Sequence, residues 1–198
     1  VVLGAVAAIA GIMISQYLGM ENREMADRSL TVNLTAAIAL ALLFTALCAL
    51  FPGQIVGLYI KDDPALLNAG QNYLTCILWT YLPMGISSIL AVMVRCLGRA
   101  VWPLAAGIIS AVVNTGLNYV LIFGHFGLPA FGVRGAAAAS VISQAVNMLL
   151  MLAVFCLVHL REQKDFRFSL SLGTDGYRQY LMMMLPILIA ELLWSLGQ

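Results

Sequence analysis

Apolar residues run along this chain in long blocks, separated by short clusters of charge, glycine and proline. A helix needs about 20 apolar residues to cross the roughly 30 Å hydrocarbon core of a bilayer. Lipid favours helices because a helix satisfies its own backbone polar groups. Five blocks are long enough, at about 1–19, 30–60, 65–94, 101–124 and 132–158, and a sixth begins near Tyr180 and runs to the end of the sequence. The pattern predicts an all-α fold, a polytopic transmembrane helix bundle of five complete spans plus a truncated sixth. Several blocks exceed the minimum length, so tilted helices or interfacial ends are expected.

The breaks fall at Met20–Ser29, Lys61–Pro64, Arg95–Ala100, His125–Phe131 and His159–Arg178. Asp62-Asp63-Pro64 reads as a turn with a helix start, and Trp102-Pro103 as an interfacial tryptophan beside a first-turn proline. Pro83 and Pro186 lie inside apolar blocks, where a missing N–H makes each a candidate helix bend, whereas Pro52 is expected to end the buried part of its span. Residues 170–177, with Ser, Gly, Thr and Asp, are the one linker-like stretch. The expected organisation is a first bundle over 1–169, closing with a loop over 159–169, a linker over 170–177, and over 178–198 the first helix of a second bundle.

Composition narrows the class. Of 198 residues, 62% are hydrophobic and 10% charged, against about 45–50% and 25% in soluble domains, which excludes a water-soluble globule. A net charge of +1 leaves no basic face for nucleic acid. The first, third and fifth breaks carry Arg23, Arg28, Arg95, Arg99, Arg161, Lys164, Arg167 and Arg178, and the second and fourth only Lys61 and Arg134. That alternation makes the odd loops cytoplasmic, places Val1 on the far side, and predicts a multi-pass protein of the cell membrane. The chain is expected to be an internal piece of a longer protein, with a further crossing upstream. Cys48, Cys76, Cys96 and Cys156, lying in or at the ends of apolar stretches without a CxxC pair or a neighbouring histidine, read as small buried hydrophobes and not as metal ligands. No HExxH, GxSxG, P-loop or paired intramembrane carboxylate is present, so no enzyme chemistry and no cofactor are expected.

Polar residues inside the spans carry the functional argument. Eight of the nine acids fall in the breaks, and Glu191 alone sits in an apolar run, five residues after Pro186. A charged acid at the centre of a span costs roughly 2.5–3.5 kcal/mol on insertion scales. Such a group faces a wet cavity and handles ions or protons, or else it lies at the headgroups or pairs with a cation from another segment. Burial would disfavour its charged form, so that a proton could bind and leave near physiological pH. In the fourth span Asn114 and Asn118 are one helical turn apart, below Ser110, and in the fifth Ser140, Ser143, Gln144 and Asn147 form one stripe at i, i+3, i+4 and i+7. Hydrogen bonding between helices and the lining of a cavity or ion site both explain such stripes. The small residues of Gly135-Ala-Ala-Ala-Ala-Ser140 read as close helix packing.

With the spans placed, the sequence resembles the multidrug and toxic compound extrusion (MATE) family of secondary transporters. The resemblance is specific in Asn114-Thr-Gly-Leu-Asn118-Tyr-Val-Leu-Ile-Phe-Gly124, in Gly127-Leu-Pro-Ala-Phe-Gly-Val-Arg-Gly-Ala-Ala-Ala-Ala-Ser140 and in Leu185-Pro-Ile-Leu-Ile-Ala-Glu-Leu-Leu-Trp-Ser-Leu-Gly197. It is looser at Gln16-Tyr-Leu-Gly19, Tyr73, Pro83, Arg95-Cys-Leu-Gly98 and Pro103. It implies that the chain covers the family's second to seventh helices, a MATE-like first lobe and the start of the second. It further implies an antiporter that exports amphipathic or cationic compounds in exchange for Na+ or H+, with the remaining helices of the full chain as partners. In family members with a first-lobe cation site, an Asn and an Asp one turn apart act with a hydroxyl on the next helix. Those positions match Asn114, Asn118 and Ser140, with Asn118 replacing the acid and Ser140 keeping the hydroxyl. A seventh-helix glutamate of other members matches Glu191. Two rivals are a lipid-linked oligosaccharide or peptidoglycan-precursor flippase, which should carry cavity Arg or Lys for pyrophosphate, and a non-transporting membrane subunit.

Overall fold

Asn22 caps a helix that begins well before the apolar block does. Its Oδ1 accepts from the backbone N–H of Met25 at 3.1 Å, which satisfies one of the open donors of a first turn. The preceding helix closes just upstream, with Glu21 N–H on the Leu18 carbonyl and Asn22 N–H on that of Tyr17. Glu21 takes the left-handed conformation (φ 57°) that such a closure requires. The expected break at Met20–Ser29 is therefore a three-residue turn, and the next helix starts at Arg23 rather than near Leu30.

The computed structural model describes residues 2–58, 60, 63–125, 127, 129–161, 169–170 and 172–196; the side chains of 161, 173–175, 191–192 and 194–196 lie outside the description. Helices are α1 (Val2–Gly19), α2 (Arg23–Leu50), α3 (Pro52–Gly57), α4 (Pro64–Ile77), α5 (Tyr81–Cys96), α6 (Val101–Phe123), α7 (Val133–Arg161) and α8 (Gly173–Leu196), with a 3-10 turn at Leu78–Thr80. No strand occurs among the described residues. Five segments among them are long and apolar enough to cross a membrane: Val2–Gly19, Arg23–Leu50, Pro64–Cys96, Val101–Phe123 and Val133–Leu160.

Proline sets two of the boundaries. The second span ends at Leu50 and not near Ile60, because Phe51 precedes Pro52 and is held out of the helical region (φ −126°, ψ 42°), after which Pro52 opens α3. The third span is interrupted: the Pro83 ring excludes the carbonyl four residues back, and the chain tightens to 3-10 over Leu78–Thr80 before α5. Thr80 Oγ1 donates to the Ile77 carbonyl there at 2.7 Å. Pro186 lies within α8. The Asp62-Asp63-Pro64 signal resolves at Asp63, whose Oδ1 accepts from Ala65 and Leu66 N–H at 2.8 and 3.2 Å, with Pro64 in the first helical position. Asp63→Ala is expected to lose about 1 kcal/mol of stability, readable as a lower unfolding midpoint of the detergent-solubilised protein. At the other end of this span, Gly98 (φ 76°) closes α5, with Gly98 N–H on the Arg95 carbonyl and Arg99 N–H on that of Val94.

The chain forms two compact units, Val1–Leu40 with Gly85–Leu104 and Met151–Gln198, and Ala41–Met84 with Ala105–Leu150. α8 begins at Gly173, within the stretch expected as a linker over 170–177. In the first unit, α1 buries Val6, Ile9, Ala10, Met13 and Ile14 with Leu30 of α2 and Ile89, Met93 and Val94 of α5. The early turns of α8 dock on α1: Leu172, Gly176 and Tyr180 are buried, and Gln179 Nε2 donates to Gln16 Oε1 at 2.9 Å. That packing stabilises a helix through a stretch whose composition reads as a linker. The expected loop over 159–169 is helical to Arg161, and 162–168 lie outside the described residues.

In the second unit, α6 and α7 run together at very short range. A Cβ on Gly135 would lie 2.5 Å from the Leu121 carbonyl oxygen, so only glycine permits this approach. The glycine thereby fixes the register of the two helices. The cysteines are free thiols; Cys48 is buried as expected, but Cys156 is exposed on α7.

Candidate functional site

Small and polar residues on facing stripes of α6 and α7 open a cleft of about 380 Å3, lined by Gly107, Ser110, Ala111, Asn114, Ser140, Ser143, Gln144 and Asn147. The α7 stripe is the one the spacing singles out. The α6 stripe adds Gly107 and Ala111, whose short side chains leave the volume open. These are the residues that sequence reasoning missed, although the spacing Gly107, Ser110, Ala111, Asn114 is itself a helical face. At this size the cleft falls within the range of small-molecule sites, about 300–1,000 Å3.

A continuous run of hydrogen bonds ties the two helices beside it. Ser110 Oγ donates to the Ser143 carbonyl at 2.7 Å. Asn118 Nδ2 donates to Asn114 Oδ1 at 3.0 Å, Asn114 Nδ2 to Ser143 Oγ at 3.1 Å, and Ser143 Oγ to the Ser140 carbonyl at 3.0 Å. Ser140 Oγ turns back onto the Ala136 carbonyl at 3.1 Å. The structure thus brings Asn114, Ser140, Ser143, Gln144 and Asn147 to one cleft. Asn118 does not line it and connects to it only through Asn114. Its Oδ1 is buried without a hydrogen-bond partner, so the run ends in an unused acceptor. The same side chains that bind the two helices together also face the opening.

The lining named above carries no formal charge. Its hydroxyl and amide side chains include both donors and acceptors.

Acids are placed differently from expectation. Asp27 lies in α2 rather than in a loop, buried at 8% exposure, with Arg23 Nε 3.6 Å from its Oδ1. Sequence reading missed it because the charged first turns of α2 look like a loop, whereas Arg23, Glu24, Asp27 and Arg28 pair at i, i+4, with Arg28–Glu24 at 2.6 Å. Glu191 lies on α8, and its side chain is outside the described residues.

Comparison with known proteins agrees with this architecture. The MatE family model matches residues 1–120. The chain is 36% identical over 141 residues to a probable multidrug resistance protein NorM of Agrobacterium fabrum, covering 71% of this chain and 30% of that protein. Against the probable NorM of Thermotoga maritima it is 32% identical over 148 residues, 74% of this chain and 32% of that protein. It therefore spans about a third of the length of these relatives. A solved outward-facing MATE family transporter of the MOP superfamily superposes with a TM-score of 0.79 at 20% identity, over 98% of this chain and 43% of its own. At that identity the likeness bears on the fold. The helical spans, the family model and the relatives together identify the chain as a member of the MATE family, a multi-pass integral protein of the cell membrane.

Proposed function

We propose that the full protein exports amphipathic, often cationic, small molecules from the cytoplasm in exchange for inward Na+ or H+, by alternating access to a central cavity. The observation that carries this reading is the polar cleft between α6 and α7, two helices long and apolar enough to cross a membrane. Packing alone does not call for an open, hydrogen-bonding volume of this size. The names of the NorM relatives support drug export as the cargo class.

Within this mechanism the first lobe recognises and Glu191 couples. Asn118 stands where cation-binding family members carry an acid, and an amide neither gains nor loses a proton in the physiological range. The charge that answers to the coupling ion is therefore assigned to Glu191, whose discharge and recharge bias the two states. The flippase alternative requires a cation for pyrophosphate, and the cleft lining contains no Arg or Lys.

The test is transport by the full-length protein in sealed vesicles. An imposed inward Na+ or proton gradient is expected to drive efflux of an amphipathic cationic dye, and no efflux under either gradient would overturn the reading. A second measurement addresses the cleft. With Cys48, Cys76, Cys96 and Cys156 replaced, cysteines at Asn114 and Gln144 are expected to react with a membrane-impermeant maleimide at least about tenfold faster than one at Val112, which is exposed on α6 outside the cleft. Equal rates at the three positions would show that the cleft is dry.

A further inference from the structure

Every serine hydroxyl lining the cleft of α6 and α7 has already given its proton to the backbone. Ser110 Oγ donates to the Ser143 carbonyl, Ser143 Oγ to the Ser140 carbonyl and Ser140 Oγ to the Ala136 carbonyl. A hydroxyl owns one proton and two lone pairs, so these groups can offer a ligand only oxygen that accepts. Asn114 is engaged at both ends of its amide, donating to Ser143 Oγ and accepting from Asn118. Gln144 and Asn147 differ. Both line the cleft and are half-buried, and among the described residues neither side chain has a hydrogen-bond partner. They stand three apart on α7, so their side chains are neighbours, with about 5–6 Å between Cβ atoms. A single nitrogen between them lies within reach of both carboxamide oxygens.

We infer that the cleft selects protonated amines that carry N–H over quaternary ammonium ions, with Gln144 and Asn147 as the groups that take the ammonium hydrogens. This rests on the reading of the protein as an exporter of amphipathic cations, and it narrows the cargo. A site without formal charge holds an organic cation in one of two ways. An aromatic face attracts it and asks for no hydrogen on the ligand. Oxygen acceptors instead bind its N–H groups, in hydrogen bonds strengthened by the charge. No aromatic side chain is among the described residues lining the cleft, so the acceptors are what remains. They are supplied twice, by two uncommitted carboxamides and by hydroxyls whose protons point at backbone carbonyls. A quaternary ion has no N–H to give them. The same lone pairs disfavour an anionic group.

The test is equilibrium binding to the full-length protein in lipid nanodiscs, with no gradient. The probes are one dansyl fluorophore carrying, on the same alkyl tether, either a methylammonium or a trimethylammonium end. Both are cationic at neutral pH, so the charge is constant while N–H groups are exchanged for methyls. A net hydrogen bond to a charged group corresponds to about a tenfold change in affinity, and the methylammonium probe is expected to bind about tenfold more tightly. Gln144→Leu combined with Asn147→Leu removes both acceptors at similar volume. It should bring the ratio to about one with the trimethylammonium affinity unchanged, which also reports a folded site. Gln54→Leu removes an exposed carboxamide on α3, outside the cleft, and should leave the ratio at about tenfold. A double variant that keeps the full preference overturns the inference, and so does one that loses both probes equally, which would make the two amides structural. Binding of both probes without preference in the unsubstituted protein also overturns it and leaves export standing. Binding of neither above the level of empty nanodiscs removes the export reading and this inference together.

Discussion

In full-length protein carrying Glu191→Gln, gradient-driven efflux is expected to fall by about two orders of magnitude, while substrate still binds. The magnitude is taken from the roughly 2.5–3.5 kcal/mol that such an acid costs at the centre of a span, about a hundredfold in an equilibrium. Glutamine keeps the volume and the hydrogen-bonding capacity of the side chain but cannot take up or release a proton or neutralise a sodium ion. Energy coupling should therefore be lost and recognition kept. Glu191→Asp restores the charge on a shorter side chain and should recover part of the rate. The measurement is dye efflux under an imposed gradient, set beside equilibrium dye binding to the same preparation. Undiminished efflux would remove Glu191 from the mechanism and move coupling to groups elsewhere in the full chain. A parallel loss of dye binding would instead make Glu191 part of the binding site.

Gly135→Ala is the second large effect. An alanine Cβ would fall 2.5 Å from the Leu121 carbonyl oxygen and 2.7 Å from its carbon. Both are backbone atoms, so no side chain can swing aside and the two helices must part. Overpacking of this kind costs about 1–3 kcal/mol. The separation also stretches the bonds from Ser110 and Asn114 to Ser143, at about 0.6 kcal/mol apiece for interhelical bonds in membranes. The expected result is a clear fall in the unfolding midpoint in detergent, together with an altered maleimide rate at Asn114→Cys. Gly116→Ala is the matched control: it lies in the same helix pair, nothing stands within 4 Å of its Cβ position, and it should be neutral or up to about 1 kcal/mol stabilising. Equal midpoints for the two variants would show that the close approach at Gly135 is not a structural requirement.

The spans were readable because hydropathy over 20 residues is an average, and averages survive a few misplaced boundaries. Their ends were less so. Arg23, Glu24, Asp27 and Arg28 look like loop residues in composition, yet they pair along the first turns of α2 behind the Asn22 cap. The cap was the available signal. At the other extreme, Gly173–Tyr177 has the composition of a linker and is helical because Leu172, Gly176 and Tyr180 bury beside it, a tertiary effect that local pattern does not contain. Pro52 and Pro83 mark real interruptions for reasons that depend only on the missing N–H and the ring. For the cleft, the α7 stripe follows from helical spacing alone. Which face of α6 meets it depends on register, and register depends on the approach at Gly135. That is why Asn118, one turn from Asn114 and on the same face, sits beside the opening instead of within it.

The amide and hydroxyl run from Asn118 through Asn114 and Ser143 to the Ser140 carbonyl has every donor aimed the same way. Amide nitrogens do not hand protons onward, so this row works as an insulator and not as a wire for acid–base traffic. Its aligned dipoles gather partial negative charge at the vacant Asn118 oxygen. A change in acidity therefore leaves the row itself unaltered, since no amide or hydroxyl in it titrates in the range a cell encounters.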